Sequence, residues 1–315
     1  MKQYIVDAIT EELFAGNPAA VLPCLSMPPA DLMQRIAIEN NYSETAFVVR
    51  KAPGRYDLKW FTPGGEVELC GHATLATSFV LYNFVDPGVP EMHFDTLSGE
   101  LIVKASDEGF TMDFPIGKYK PVPVTPEILA ASGGLAVEAF YDGGDMIVIF
   151  PSEASVRGFV PNFDLISRVE GRGFVITAAS SHPSPTSVGT PAADPSQPEP
   201  ISAASPSQPS PAFADSSATS PFQPSPASVA GSSQCQYDFV SRCFYPKLNV
   251  PEDPVTGSAH TYLTPIWAAR LGKTVMTARQ VSRRGGTLRV RQGADRVFIT
   301  GSARLFMQGD IPFDL

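Results

Sequence analysis

Basic residues are in short supply. The chain carries 23 Lys and Arg against 32 Asp and Glu, a net charge of −9 over 315 residues. Nucleic acid and anionic membrane are thereby excluded as main partners, because holding phosphates needs a basic face. Long apolar runs are missing as well. None reaches the ~20 residues that span a bilayer, although hydrophobic residues make up 43% of the chain and suffice for ordinary cores. The opening Met1-Lys2-Gln3-Tyr4-Ile5-Val6-Asp7 has no signal-peptide core and runs straight into a strand-like segment. Cysteine is scarce: Cys24, Cys70, Cys235 and Cys243 lack metal-site spacing. Reduced thiols in a cytoplasmic protein are therefore expected. The length suggests about two domains.

One tract is poor in almost everything a core needs. Residues 178–233 are rich in Ser, Pro, Ala and Gln and contain no Lys or Arg. Such a composition buries too little apolar surface to order itself. It separates two strand-like runs, Phe174-Val175-Ile176-Thr177 and Tyr237-Asp238-Phe239-Val240, and is expected to be a disordered insertion in a surface loop. Lengthening a short hairpin loop to this size takes about three doublings at ~0.6 kcal/mol each, roughly 2 kcal/mol, which a fold of this size tolerates.

What is present is organised around two short runs, Cys70-Gly71-His72-Ala73-Thr74 and Thr256-Gly257-Ser258-Ala259-His260. Each follows an extended segment and opens an apolar stretch that predicts a buried helix. A helix start leaves backbone N–H groups without partners and is partly positive. Glycine there lets a ligand approach closely. Two such starts facing one cleft would hold a carboxylate or stabilise a developing enolate.

The remaining pattern fits a repeated layout. Strands are predicted at Lys2 to Ala8, Ala19 to Leu22, Ser43 to Val49 and Tyr56 to Phe61, with a turn at Phe14 to Pro18 and a helix from Pro29 to Asn40. Short runs from His93 to Phe114 predict antiparallel pairing. After a Pro-rich crossing at Pro115 to Pro126 come a short helix at Pro126 to Ala130, a strand at Met146 to Phe150, a helix from Asn162 to Val169 and further strands. Both halves read as strands, helix, strands, small-residue helix start, strands.

Four motifs occur in a fixed order: Phe14-Ala15-Gly16-Asn17-Pro18; Asn41-Tyr42-Ser43-Glu44-Thr45-Ala46-Phe47-Val48; Phe61-Thr62-Pro63 leading to Cys70-Gly71-His72-Ala73-Thr74; and Glu252-Asp253-Pro254-Val255-Thr256-Gly257-Ser258-Ala259-His260. This series resembles the phenazine-biosynthesis PhzF-like isomerases over the whole chain apart from the Ser/Pro tract. Gln280-Val281-Ser282-Arg283-Arg284-Gly285-Gly286 is similar to a further stretch of that family. The resemblance implies an α+β fold of the diaminopimelate epimerase type, in which two similar domains each wrap a mostly antiparallel, barrel-like sheet round a central helix. The domains are expected at 1–118, completed by 303–315, and at 119–302, with 178–233 inserted in the second. The resemblance also implies a homodimer, no cofactor, and a small carboxylic acid of the dihydro-hydroxyanthranilate kind as substrate.

A proton shift beside a carboxylate needs a group to take the proton and return it, and donors for the charge formed in between. By resemblance Glu44 is the acid/base, His72 orients substrate or assists proton movement, and Asp253 and Ser258 contact substrate. Gly71 and Gly257 are expected to offer N–H groups, and Asn17 to line the cleft or shape its turn. Read alone, each also fits a plain structural role: a strand-start Glu, a core His, a turn Asp, a capping Ser. His260 is a weaker candidate for a second relay.

Three rivals are open. In epimerases of this fold a cysteine precedes each helix start; here Cys70 holds the first place but Thr256 the second, and a threonine hydroxyl is too weak an acid to replace a thiol. A metal-dependent hydrolase built on His72, Asp253 and His260 lacks ligand spacing, so no metal is expected. A non-catalytic small-acid-binding relative is the third.

Overall fold

The computed structural model describes residues 1–182 and 236–312. The first half runs β1 (Lys2–Ala8), β2 (Asn17–Cys24), α1 (Ala30–Asn40), β3 (Glu44–Ala52), β4 (Arg55–Thr62), β5 (Gly65–Val67), α2 (Gly71–Val80), β6 (Glu91–Thr96), β7 (Gly99–Ser106) and β8 (Gly109–Pro115). After β9 (Lys120–Val122) and α3 (Pro126–Ala131) the order recurs: β10 (Glu138–Tyr141), β11 (Asp145–Ile149), α4 (Glu153–Gly158), α5 (Phe163–Ile166), β12 (Gly173–Ala179), β13 (Phe239–Tyr245), β14 (Val250–Asp253), α6 (Ala259–Leu271), β15 (Val275–Gln280), β16 (Gly286–Gln292) and β17 (Arg296–Gly301).

The pairings recur as well. β1/β2 and β10/β11 are antiparallel, β2/β3 and β11/β12 parallel, β3/β4 and β12/β13 antiparallel, and β4/β6 and β13/β15 parallel. The final strand β18 (Ala303–Asp310) returns to pair with β1. β17 pairs with β8 and β9 with β10, so the halves share sheet edges.

Side-chain alternation decides what each strand presents to its helix. Ala19 and Val21 of β2 and Ala46 and Val48 of β3 pack with Ala73, Leu75 and Ala76 of α2. Their neighbours Ala20, Leu22 and Phe47 face the other way, onto Leu32, Met33, Ile36 and Ala37 of α1. α1 is thus an amphipathic cover, ended by Asn41 in the left-handed conformation. α2 and α6 are buried almost all round, as helices enclosed by sheet must be. Pro265 sits inside α6 and cannot donate to the Thr261 carbonyl. Gly117 N–H donates to that carbonyl instead at 3.1 Å, and a side chain at Gly117 would collide with Thr261 and Tyr262.

The structure adjusts several boundaries. Asn17 and Pro18 belong to β2, and the turn before them is made by Phe14 and Gly16, both at φ 67°. The helix expected from Asn162 to Val169 is one turn, Phe163–Ile166, since Arg168, Val169 and Gly171 already lead into β12. β13 begins at Phe239, not Tyr237. Ala178 and Ala179, assigned to the insertion by composition, continue β12 opposite Val240 and Phe239. Small residues are as compatible with a buried strand as with a linker. The tract from 183 to 235 lies outside the described residues, as do 313–315. Among the described residues no helix is long and apolar enough to cross a membrane.

Candidate active site

Glu44 opens β3, on the same face as Ala46 and Val48; Asn17 opens β2, on the same face as Ala19 and Val21. Both therefore point from the ends of two parallel strands towards the start of α2. There the starts of α2 and α6 meet. A Cβ built on Gly71 would lie 3.6 Å from the Gly257 Cα, and the converse holds. The two backbones are thus close enough for added methyl groups to be in van der Waals contact.

Six side chains converge at this junction. His72 Nε2 lies 2.9 Å from Glu44 Oε2, and His72 Nδ1 lies 3.6 Å from Cys70 Sγ. Asn17 Nδ2 donates to Asp253 Oδ1 at 2.8 Å and to the Val255 carbonyl at 3.0 Å, and stands 3.2 Å from His72 Nδ1. An amide has two protons. The two shorter contacts take them, which leaves His72 Nδ1 to the Cys70 sulfur. Thr256 Oγ1 donates to Asp253 Oδ2 at 2.5 Å. Asn17 thus bonds Asp253 across 236 residues of sequence and stands beside His72.

The electrostatics follow from burial. Burial pushes the His72 imidazole down, but the Cys70 sulfur and the Glu44 carboxylate outweigh it and hold it well above the usual histidine range. Burial pushes the Cys70 thiol up, and the nearby Glu44 adds to this against the opposing His72. Asp253 is raised to about 6, chiefly by burial, with Glu44 adding and with His72, Thr256 and Asn17 opposing. Three buried polar atoms here, Asn17 Oδ1, Glu44 Oε2 and His72 Nε2, have no aligned hydrogen-bond partner in the protein. The Glu44–His72 contact is close but off the hydrogen-bonding axis. Buried polar atoms in this condition mark a place where a polar ligand or a proton is handled.

Ligand atoms of Glu44, Cys70 and His72 lie within 4.8 Å of one another. The carboxylate and the thiol face opposite nitrogens of one imidazole, so the three groups form a row rather than converging on one point. The trio is a row of polar groups with the imidazole at its centre.

Other candidates fall differently. Ser258 is at the α6 start, but its hydroxyl makes no capping bond. His260 is fully buried, bonds the Thr256 carbonyl through Nδ1 at 2.8 Å and lies beside the Phe239 ring, within the core rather than in the row. Sequence reasoning passed over the residues that hold the site. Arg284 donates to Asp7 Oδ1 and to the Gly16 and Ala15 carbonyls, which clamps the loop before Asn17. Arg242 grips Glu252 with two bonds, at 2.7 and 3.0 Å, and so anchors the strand that carries Asp253. Only membership of the Gln280–Gly286 stretch signalled Arg284, and nothing signalled Arg242.

The model of the family described as phenazine biosynthesis-like protein matches residues 6–189 and 201–309. The chain belongs to the phenazine biosynthesis-like family of isomerases. Within that family it is 37% identical to an uncharacterized isomerase of Pseudomonas aeruginosa over 306 residues, 97% of this chain and 96% of the relative. A crystal structure of a PhzF family phenazine biosynthesis protein from Enterococcus faecalis aligns over 99% of each chain at 37% identity, with a TM-score of 0.79. A predicted epimerase from Pseudomonas aeruginosa, 15% identical over 99% of each chain with a TM-score of 0.61, shares the fold. The α+β epimerase-like architecture of this phenazine biosynthesis-like isomerase agrees with that expected from its motifs.

Proposed function

We propose that the protein moves a proton between two carbons of a small cyclic or unsaturated carboxylic acid, of the dihydro-hydroxyanthranilate kind, without a cofactor. Glu44 is the general acid/base. It takes a proton from one carbon, the electron pair delocalises into the adjoining unsaturated system, and the proton returns at another carbon. Oxidation state is conserved, so the step calls for no electron acceptor. His72 steadies the Glu44 carboxylate, and Asp253 faces the substrate beside Asn17. N–H groups at Gly71, Gly257 and Ser258 receive the substrate carboxylate, which two helix starts favour electrostatically.

The observation that carries this reading is the 2.9 Å contact of Glu44 with His72 at the junction of the two helix starts. Lobes formed by 1–118 with 303–315 and by 119–302 would flank this junction, in a cytoplasmic homodimer. The test is label uptake from deuterated water into candidate acids. Glu44→Gln abolishes it and Cys70→Ser leaves most of it. Loss with Cys70→Ser and retention with Glu44→Gln would replace this mechanism by the thiol-based epimerase reading, which rests on Cys70 standing beside His72. Tight binding of acids with no exchange in the wild type would leave a small-acid-binding relative.

A further inference from the structure

Gln280 ends β15 in the motif stretch to which the mechanism assigns no part. It is fully buried, and both ends of its carboxamide are engaged. Oε1 accepts from the Thr256 N–H at 2.9 Å and from Cys243 Sγ at 3.6 Å. Nε2 donates to the Asp253 carbonyl at 2.7 Å and to Thr256 Oγ1 at 3.3 Å. The amide cannot be turned over. That would set its NH2 against the Thr256 N–H and its oxygen against the Asp253 carbonyl.

This orientation has a consequence for Thr256. Its hydroxyl receives a proton from Gln280, so its own single proton goes to Asp253 Oδ2, 2.5 Å away. Asp253 Oδ1 accepts a hydrogen bond from the Asn17 amide. We propose that Gln280 is a positioning residue which, through the Thr256 hydroxyl, holds Asp253 as a hydrogen-bond acceptor and so governs how readily that carboxylate takes up a proton. The role of that proton uptake in turnover rests on the reading of Asp253 given above; the relay itself does not.

The titratable groups facing Asp253 are His72 from α2, Glu44 from β3, and Cys243 and Tyr245 from β13. Burial pushes the Cys243 thiol and the Tyr245 phenol well up, so both stay neutral through the acidic range. The nearby Arg242 and Glu252 are paired with each other. Gln280 is uncharged, so its effect on Asp253 must travel by hydrogen bonds.

The experiment is a pH titration of the Asp253 carboxyl carbon by NMR, assigned with Asp253→Asn, in four proteins: wild type, Gln280→Met, Thr256→Val and the double variant. Losing a hydrogen bond to a charged group moves a midpoint by about one pH unit. Gln280→Met, which removes no bond to the carboxylate itself, is expected to raise the Asp253 midpoint by a fraction of that amount in the wild-type background and to leave it unchanged in the Thr256→Val background. Equal shifts in both backgrounds, or none in either, overturn the relay and leave Gln280 as a plain anchor of the turn. Should Gln280→Met fail to fold, the uncharged Gln280→Asn, which withdraws the carboxamide from Thr256 by one carbon, replaces it, and the same comparison of backgrounds decides. The acidic limb of the label-uptake profile is expected to move with the NMR midpoint. If the midpoint moves and the limb does not, the relay stands and the assignment of Asp253 to turnover falls.

Discussion

The mouths of the parallel pairs β2/β3 and β11/β12 occupy the same place in the repeated layout and carry different contents. Glu44 opens β3 opposite Ala19; Gly173 opens β12 opposite Asp145. Each half therefore has one carboxylate at this point, on opposite strands of the pair. Asp145 is saturated. It meets Arg172 Nε at 3.2 Å, accepts from Tyr262 OH at 2.9 Å and from Tyr245 OH at 3.3 Å. The Tyr245 ring lies over Gly173 so closely that no side chain fits there. Glu44 has one misaligned neighbour and a side chain 17% exposed, against 1% for Asp145. One copy of the layout seals its mouth with a satisfied charge, and the other leaves its carboxylate unsatisfied. Satisfaction of hydrogen bonds, rather than the presence of a carboxylate, is what separates the two mouths.

That contrast breaks most sharply at Gly173. Gly173→Glu copies the first half into the second and drives a side chain into Tyr245 and Asp145. A loss of about 4 kcal/mol or more is expected, read as failure to give a cooperative thermal melt. Next in size is the exchange of roles between the two carboxylates. Asp145→Ala strands Arg172 and two buried phenols and costs about 3 kcal/mol in urea denaturation. Glu44→Gln is expected to change stability by about 1 kcal/mol or less while label uptake falls roughly 10³-fold. Equal destabilisation by the two substitutions would erase the distinction.

Smaller effects come from proton linkage. Asp253, raised from 3.8 to about 6, binds protons more readily folded than unfolded. Its contribution to stability is full below about pH 4 and is lost as pH rises past about 6. The stability difference between wild type and Asp253→Asn should therefore shrink across that window in pH-dependent urea melts. His260, lowered from 6.5 to about 4 by burial, has the opposite sign. Its contribution is full above pH 6.5 and is lost as pH falls towards 4, so His260→Asn should flatten the acid side of the profile slightly. A further parallel sharpens this one. Thr74 Oγ1 bonds the Cys70 carbonyl in α2 just as His260 Nδ1 bonds the Thr256 carbonyl in α6. His260 is thus the helix-tying counterpart of a threonine, which explains its place in the core.

Much of the site was legible because its residues sit in short motifs whose local geometry is set by neighbours. Gly71 and Gly257 announced themselves as helix starts, and Glu44 as the head of a β-branched strand. Asn17 was readable only as a turn or cleft residue. Its bonds to Asp253 and the Val255 carbonyl depend on where β2 ends relative to a helix far along the chain. Arg242 was silent, and Gln280 and Arg284 were marked only by their motif stretch, because an Arg or Gln carries no sign of a partner distant in sequence. Asp145 was silent for a similar reason: an acid next to glycines reads as a turn until two tyrosines from β13 and α6 close over it.

By itself the sequence determined the succession of strands and helices, the two small-residue helix starts, and the motif order that places the chain among its relatives. Each of these depends on spacing and turn chemistry within about a dozen residues. The tertiary structure alone decided which carboxylate stays unsatisfied, that Asn17 reaches Asp253, and that Gln280 sets the direction of the Thr256 proton. Those outcomes depend on strand register and on which chain ends meet. Contacts between residues more than two hundred positions apart come from burying both faces of a sheet at once, and no local pattern encodes them.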